Sequence, residues 1–170
     1  MTDSVRPARM TDTFAIVALI VSAHAKSVYA DVLAIDEAVA RKTISQMIQR
    51  HGGEHAGGAC VFVAENEASE IVGFMAGLLD RVYGVCDGLT AQDVFLICDR
   101  GKAHPLTLQR LVNAFIDWAE SSPKVFEIVV THTDVVPDAA RVASLYRHHG
   151  FGLWGKAYRK VIERPLPDGG

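Results

Sequence analysis

An α/β fold of three layers, with a central mixed β-sheet and helices on both faces, is predicted by three features of the 170-residue sequence. Segments with strand and helix periodicity alternate along the chain, without internal repeats or a dividing linker. Val125 to Thr131 is a nearly continuous apolar run, suited to a central strand covered on both faces. The composition, 49% hydrophobic and 22% charged with 14 Gly and 6 Pro, is that of a globular chain. At this length a chain buries about 70% of its extended surface, so it needs no disulfide or metal staple. Residues 1–170 are therefore read as one domain.

Val5-Arg6-Pro7-Ala8 reads as a short opening strand. Thr11 or Asp12 can cap a helix with Phe14, Val17, Ala18 and Val21 on its inner face. Asp36 can cap a second helix, striped by Val39, Thr43, Met47 and Ile48 and ended by the glycines after Arg50. Cys60 to Glu65, Ile71 to Leu79 and Asp93 to Cys98 are rich in Val, Ile and Phe, and the turn between the first two makes a hairpin. From Pro105, Leu108, Leu111, Val112, Phe115 and Ala119 recur at helical spacing as far as Glu120. After the run at Val125, a last helix starts at Pro137 and stops at Gly150, a left-handed cap, and Leu153 to Ile162 supplies closing strand.

Several functional classes lose support at once. Lys and Arg total 17 against 20 Asp and Glu, so the net charge of -3 argues against a sequence-independent nucleic-acid binder. No run of about 18 apolar residues is present, so no membrane span is expected. Cys60, Cys86 and Cys98 form neither a C-x-x-C pair nor a zinc-ligand spacing with His, which fits a reducing cytoplasm and no metal. The apolar stretch FAIVALIV before Ala23-His24-Ala25 has the length of a leader core, but Asp3 and Asp12 spoil the basic leader and the segment reads as the first helix. The pattern G-x-x-x-x-G-K-[ST] does not occur.

Two places carry candidate chemistry. Between Cys98 and Pro105 stand Arg100, Gly101, Lys102 and His104, followed by a helix start whose first turn has no Asp or Glu to compete with a bound phosphate. In ARVASLYRHHGF, Tyr146 shares a small apolar face with Ala139, Val142 and Ala143, one turn before Gly150. A phenol carried inward needs a partner, and it is protonated at neutral pH, suited to donate to a leaving thiolate.

The Val5-Arg6-Pro7-Ala8 opening, the VAENEASEIVGFMAGLL hairpin, the helix ending Phe115-Ile116-Asp117-Trp118-Ala119 and the A-x-L-Y-x-x-x-G-F pattern from Ala143 to Phe151 together resemble the GCN5-related N-acetyltransferases along nearly the whole chain. The resemblance implies transfer of an acetyl group from acetyl-CoA, as co-substrate, to a small-molecule or peptide amine, with Tyr146 as general acid. It implies a fourth and fifth strand that splay apart, here Asp93 to Cys98 and Val125 to His132. The pantetheine arm would lie along Leu96, Ile97 and Cys98, and the diphosphate at Arg100, Ala103, His104, Leu106 and Thr107. The other reading of the same resemblance is a non-catalytic CoA or acyl-CoA sensor.

The family's loop pattern [QR]-x-x-G-x-[GA] is degenerate here. Counting from Arg100 puts Ala103 and Pro105 at the glycine positions, whereas anchoring on Phe115 to Ala119 puts Ala103, Leu106 and Leu108 at the motif positions. Ala139 stands where the family usually has Asn. Asp99 and His132, near the two strand ends, are candidate bases for the amine, and His148 and His149 read as cations at a helix C-terminus. Acceptor specificity is assigned to residues 22–60 and 80–92. A homodimer is compatible with the chain and not readable from it.

Overall fold

In the computed structural model, residues 2–133, 135 and 139–162 are described. Strands β1 (Ser4–Pro7), β2 (Ala59–Glu65), β3 (Ile71–Arg81), β4 (Leu89–Cys98) and β5 (Val125–Val129) form one sheet in the order β1-β2-β3-β4-β5. The first four are antiparallel in sequence and β5 joins β4 in parallel, which makes the sheet mixed. Helices α1 (Thr13–His24) and α2 (Glu37–Gln49) cover one face, where Ile16, Ile44 and Met47 pack on Val61, Val63 and Phe74. Helices α3 (Thr107–Ser121) and α4 (Ala139–His148) cover the other, where Leu111, Val112, Phe115 and Tyr146 meet Phe62, Val72 and Met75. β2 is buried through Ala64 because both layers press on it.

α3 lies close on the sheet because Gly77 leaves room for it: a Cβ there would stand 2.4 Å from the Phe115 ring. At α2 the Asp36 carboxylate accepts from the N–H groups of Ala38 and Val39, as the cap reading expects. Asp12 departs from its expected role. It makes no side-chain cap to α1 and instead takes Arg6, at 2.7 Å, which also grips Glu65 at 2.8 Å. Burial pushes the Asp12 carboxyl up, but its bonds from Arg6 and Arg9 outweigh this and hold it below the usual range.

Three sequence expectations need correction. Phe14 points outward under Arg41, and α1 buries Thr13, Ile16 and Val17, since a helix apolar on nearly every face gives periodicity nothing to choose between. The run from Val125 is shorter than expected and only partly covered: β5 pairs with β4 on one side, and Phe126 is 78% exposed. Leu153 to Ile162 forms no strand, and Trp154 and Tyr158 are exposed. Pro137 lies outside the described residues. Among the described residues no helix is long and apolar enough to cross a membrane, and no group of three His, Cys, Asp or Glu could hold a metal ion.

Candidate active site

The site begins where the sheet comes apart. β4 pairs with β5 only from Leu89 to Gln92, and the next residue, Asp93, stands at the fork. On its other side β4 carries a bulge, since Gly77 faces Asp93 while Ala76 faces Phe95, leaving Val94 as the extra residue. A bulge adds local twist and re-aims side chains, here at the point where the strands separate. Splaying leaves Thr131 without a ladder partner, and the Asp93 side chain supplies one: its Oδ1 accepts from the Thr131 N–H at 2.9 Å and from the Thr131 hydroxyl at 3.2 Å.

Tyr146 meets the same carboxylate. Its hydroxyl donates to Asp93 Oδ2 at 3.1 Å, and the residue is only 5% exposed. The motif around it has a mechanical reason. Gly150 adopts φ +84, the Phe151 N–H bonds back to the Tyr146 carbonyl at 3.1 Å, and the Gly150 N–H to that of Arg147. This is a Schellman ending, and its usual apolar contact is present as the Phe151 ring set edge-on to Tyr146, centroids 5.8 Å apart. Helix end and catalytic candidate are thus one local unit.

Burial, with the Asp93 charge and hydrogen bond beside it, pushes the Tyr146 phenol well above its ordinary value, so it holds its proton. Burial likewise raises the half-buried Asp93 carboxyl, opposed by the bonds from Thr131 and Tyr146. In front of the pair lies a cavity of about 370 Å³ between β4, α1, α4 and the chain after β5. Leu96, Ile97 and His132 line it, whereas Cys98 and Asp99 do not. Burial, then the nearby Asp3 and Asp99, pushes the Cys98 thiol up to about 11. Of the two stretches assigned to specificity, the first contributes Ala23, His24, Ser27, Tyr29 and Ile35, while none of residues 80–92 lines the cavity. The Nε2 of His149 is buried without a hydrogen-bond partner among the described residues, and burial, with His148 alongside, holds its pKa low.

The loop before α3 differs from the fork. The Gly101 N–H donates to Asp99 Oδ1, those of Lys102 and Ala103 to the Asp99 carbonyl, that of Leu106 to the His104 ring, and that of Thr107 to the His104 carbonyl. The His104 N–H and the buried Thr107 hydroxyl both donate to Asp3, and Arg110 reaches the Asp3 carbonyl at 2.8 Å. A carboxylate from the start of the chain therefore sits against the loop leading into α3, whose own first turn carries none. Arg100 is exposed, Ala103 packs against the core, Leu106 is exposed, and Lys102 pairs with Glu70 at 3.0 Å. A diphosphate at these residues would have to displace Asp3.

Sequence reasoning singled out Tyr146, which the structure places against Asp93, and did not single out Asp93 or Asp3. The available signal for Asp93 was a lone acid opening an apolar strand, where Asp is disfavoured; Asp3 had none, since its partners lie about a hundred residues away.

No family model and no curated protein matches the sequence. Solved structures do. Glucosamine-6-phosphate N-acetyltransferase from Arabidopsis thaliana superposes with a TM-score of 0.68 at 11% identity, over 96% of this chain and 100% of that one. A ribosomal-protein-alanine N-acetyltransferase from Brucella melitensis biovar Abortus gives 0.63 at 14%, over 96% and 100%. A protein from Bacillus halodurans described as a transcriptional regulator gives 0.68 at 16%, over 94% and 99%. At such identities the likeness establishes architecture: the chain has the fold of the GCN5-related N-acetyltransferases.

Proposed function

We propose that this chain is an N-acyltransferase that moves an acetyl group from acetyl-CoA to a primary amine in the cavity at the β4–β5 fork. The observation that carries the reading is the Asp93–Tyr146 pair, a carboxylate and a protonated phenol 3.1 Å apart facing one cavity. Among the described residues, the β5-facing edge of β4 has no strand partner beyond Gln92, so its backbone N–H groups are available to the thioester carbonyl. An arriving ammonium gives a proton to Asp93. The neutral amine attacks the carbonyl, the C–N bond forms, and the C–S electron pair leaves with sulfur. Tyr146 protonates the thiolate and regains its proton from Asp93 across their hydrogen bond, and the second amine proton passes to solvent. The products are an amide and free CoA thiol. In this scheme Asp93, rather than Asp99 or His132, takes the role of base.

A second reading has its own support. The N–H groups of the loop before α3 are satisfied within the chain, and the same fold occurs in a protein described as a transcriptional regulator, so a non-catalytic CoA or acyl-CoA sensor is the alternative. Calorimetric titration with acetyl-CoA, followed by measurement of thiol release with an amine panel, separates the two. Binding with amine-dependent thiol release supports transfer, binding without release supports the sensor, and absence of binding overturns both.

A further inference from the structure

Asp93 is an anion without a cation. Its three hydrogen-bond donors are all neutral, namely the Thr131 N–H, the Thr131 hydroxyl and the Tyr146 hydroxyl. Among the described residues no ion pair reaches it, in contrast to Asp12, which Arg6 matches at 2.7 Å. Withdrawing a carboxylate from water beside neutral partners alone is unfavourable, and the arrangement becomes favourable when a cation is delivered to it.

The rest of the cavity narrows what that cation can be attached to. Among the described residues lining it there is no Lys and no Arg, and the titratable groups facing Asp93 are His24 from α1, Tyr29 from the following loop, His132 after β5 and Tyr146 from α4. Arg159 stands behind the wall, donating to the Tyr29 hydroxyl at 3.0 Å with its guanidinium 5.7 Å from that ring's centroid. The remaining surface is mainly aliphatic and aromatic, with Ile20, Ile35, Phe95 and Val142 on different sides. A second anionic group on the acceptor would enter a space that already holds one carboxylate and no fixed positive charge.

We infer that the acceptor is a primary amine on an apolar, otherwise uncharged body, held as its ammonium by Asp93, and that amines bearing a carboxylate or phosphate are excluded. The inference rests on the acyl-transfer reading for its chemistry but on the cavity alone for its binding, and the two can fail separately.

The test uses 2-phenylethylamine against phenylalanine, which differs by one carboxylate, at pH 8.5, where a free imidazole is neutral. With acetyl-CoA, kcat/KM for 2-phenylethylamine is expected to exceed that for phenylalanine by at least about tenfold. Without acetyl-CoA, calorimetry is expected to show 2-phenylethylamine binding that Asp93→Asn weakens at least about tenfold, while the variant keeps the wild-type Tm or exceeds it. Equal or better use of phenylalanine, no binding of 2-phenylethylamine, or binding indifferent to Asp93→Asn overturns the proposal. Asp93-dependent binding without any thiol release leaves the proposal standing and removes the acyltransfer reading instead.

Discussion

At the β4–β5 fork a carboxylate gathers three neutral donors and faces open space; at the start of α3 the loop N–H groups already have acceptors, one of them a carboxylate from the far end of the chain. Both regions lie next to the end of a helix, and both pair polar backbone with Asp. They differ in what is left over. At the fork the surplus is negative charge with room in front of it, so the region is built to receive a cation. At the loop the N–H groups of Gly101 to His104 are already engaged, and an incoming anion competes with Asp3 for the His104 N–H and the Thr107 hydroxyl. A helix N-terminus invites anions in general, but whether it is vacant depends on tertiary contacts.

The strongest way to break this contrast is at Tyr146. Tyr146→Phe removes the only hydroxyl donating to Asp93 from α4 and, on the proposed mechanism, lowers turnover by about 10²- to 10⁴-fold with acetyl-CoA affinity and Tm nearly retained. The loss should shrink with thioesters of more acidic thiols, and wild-type turnover in the variant would leave Tyr146 as a core residue only.

Asp3→Ala tests the other region. Losing a carboxylate that accepts from the His104 N–H and satisfies the buried Thr107 should cost about 1–3 kcal/mol in denaturant unfolding, while acetyl-CoA affinity stays level or rises as the His104 N–H is freed. A fall in affinity with an unchanged denaturation midpoint would show that Asp3 supports ligand binding rather than occupying its place.

Asp93→Asn sharpens the contrast through pH. Burial raises the folded-state pKa of Asp93 above its unfolded value, so its ionisation costs stability above the folded pKa, and that cost disappears as pH falls below the unfolded value. The variant's gain in Tm over wild type should therefore be greatest near neutral pH and fade as the pH is lowered. Asp12 has the opposite sign. Its depressed pKa adds stability that is present above its unfolded value, near pH 4, and is lost as pH falls through the folded value, so Asp12→Asn should be destabilising at pH 7 and progressively less so on acidification below pH 4. The smallest effect is expected at Lys102, an exposed residue already paired with Glu70: Lys102→Ala should change acetyl-CoA binding by no more than about 1 kcal/mol in calorimetry.

What the sequence disclosed follows the range of the interactions. α3, with Leu111, Val112, Phe115 and Ala119 buried as their spacing indicates, and the Asp36 cap of α2 are short-range features that a linear reading catches. The A-x-L-Y-x-x-x-G-F ending belongs with them. The inner face of α1 was not legible, because an almost uniformly apolar helix has no preferred side until a sheet is laid against it. β5 has the composition of a central strand, and its place at the edge emerges only from pairing. Asp93 and Asp3 were harder to reach for a related reason: each acts through partners supplied by distant segments, and only Asp93 carries a local signal, as a lone acid in an apolar strand.

The Schellman ending of α4 also bears on the order in which the site is assembled. The phenol is aimed by Phe151 and Gly150, within five residues of Tyr146, so its orientation follows as soon as the last turn of the helix closes. Its partner Asp93 lies 53 residues away, and their meeting waits for the non-local docking of α4 on a sheet already forked. Contacts of such different sequence separation form on different timescales during folding. The phenol's orientation is thus set locally, while its hydrogen bond to Asp93 depends on long-range docking, which makes the Asp93–Tyr146 hydrogen bond a reporter of native tertiary structure.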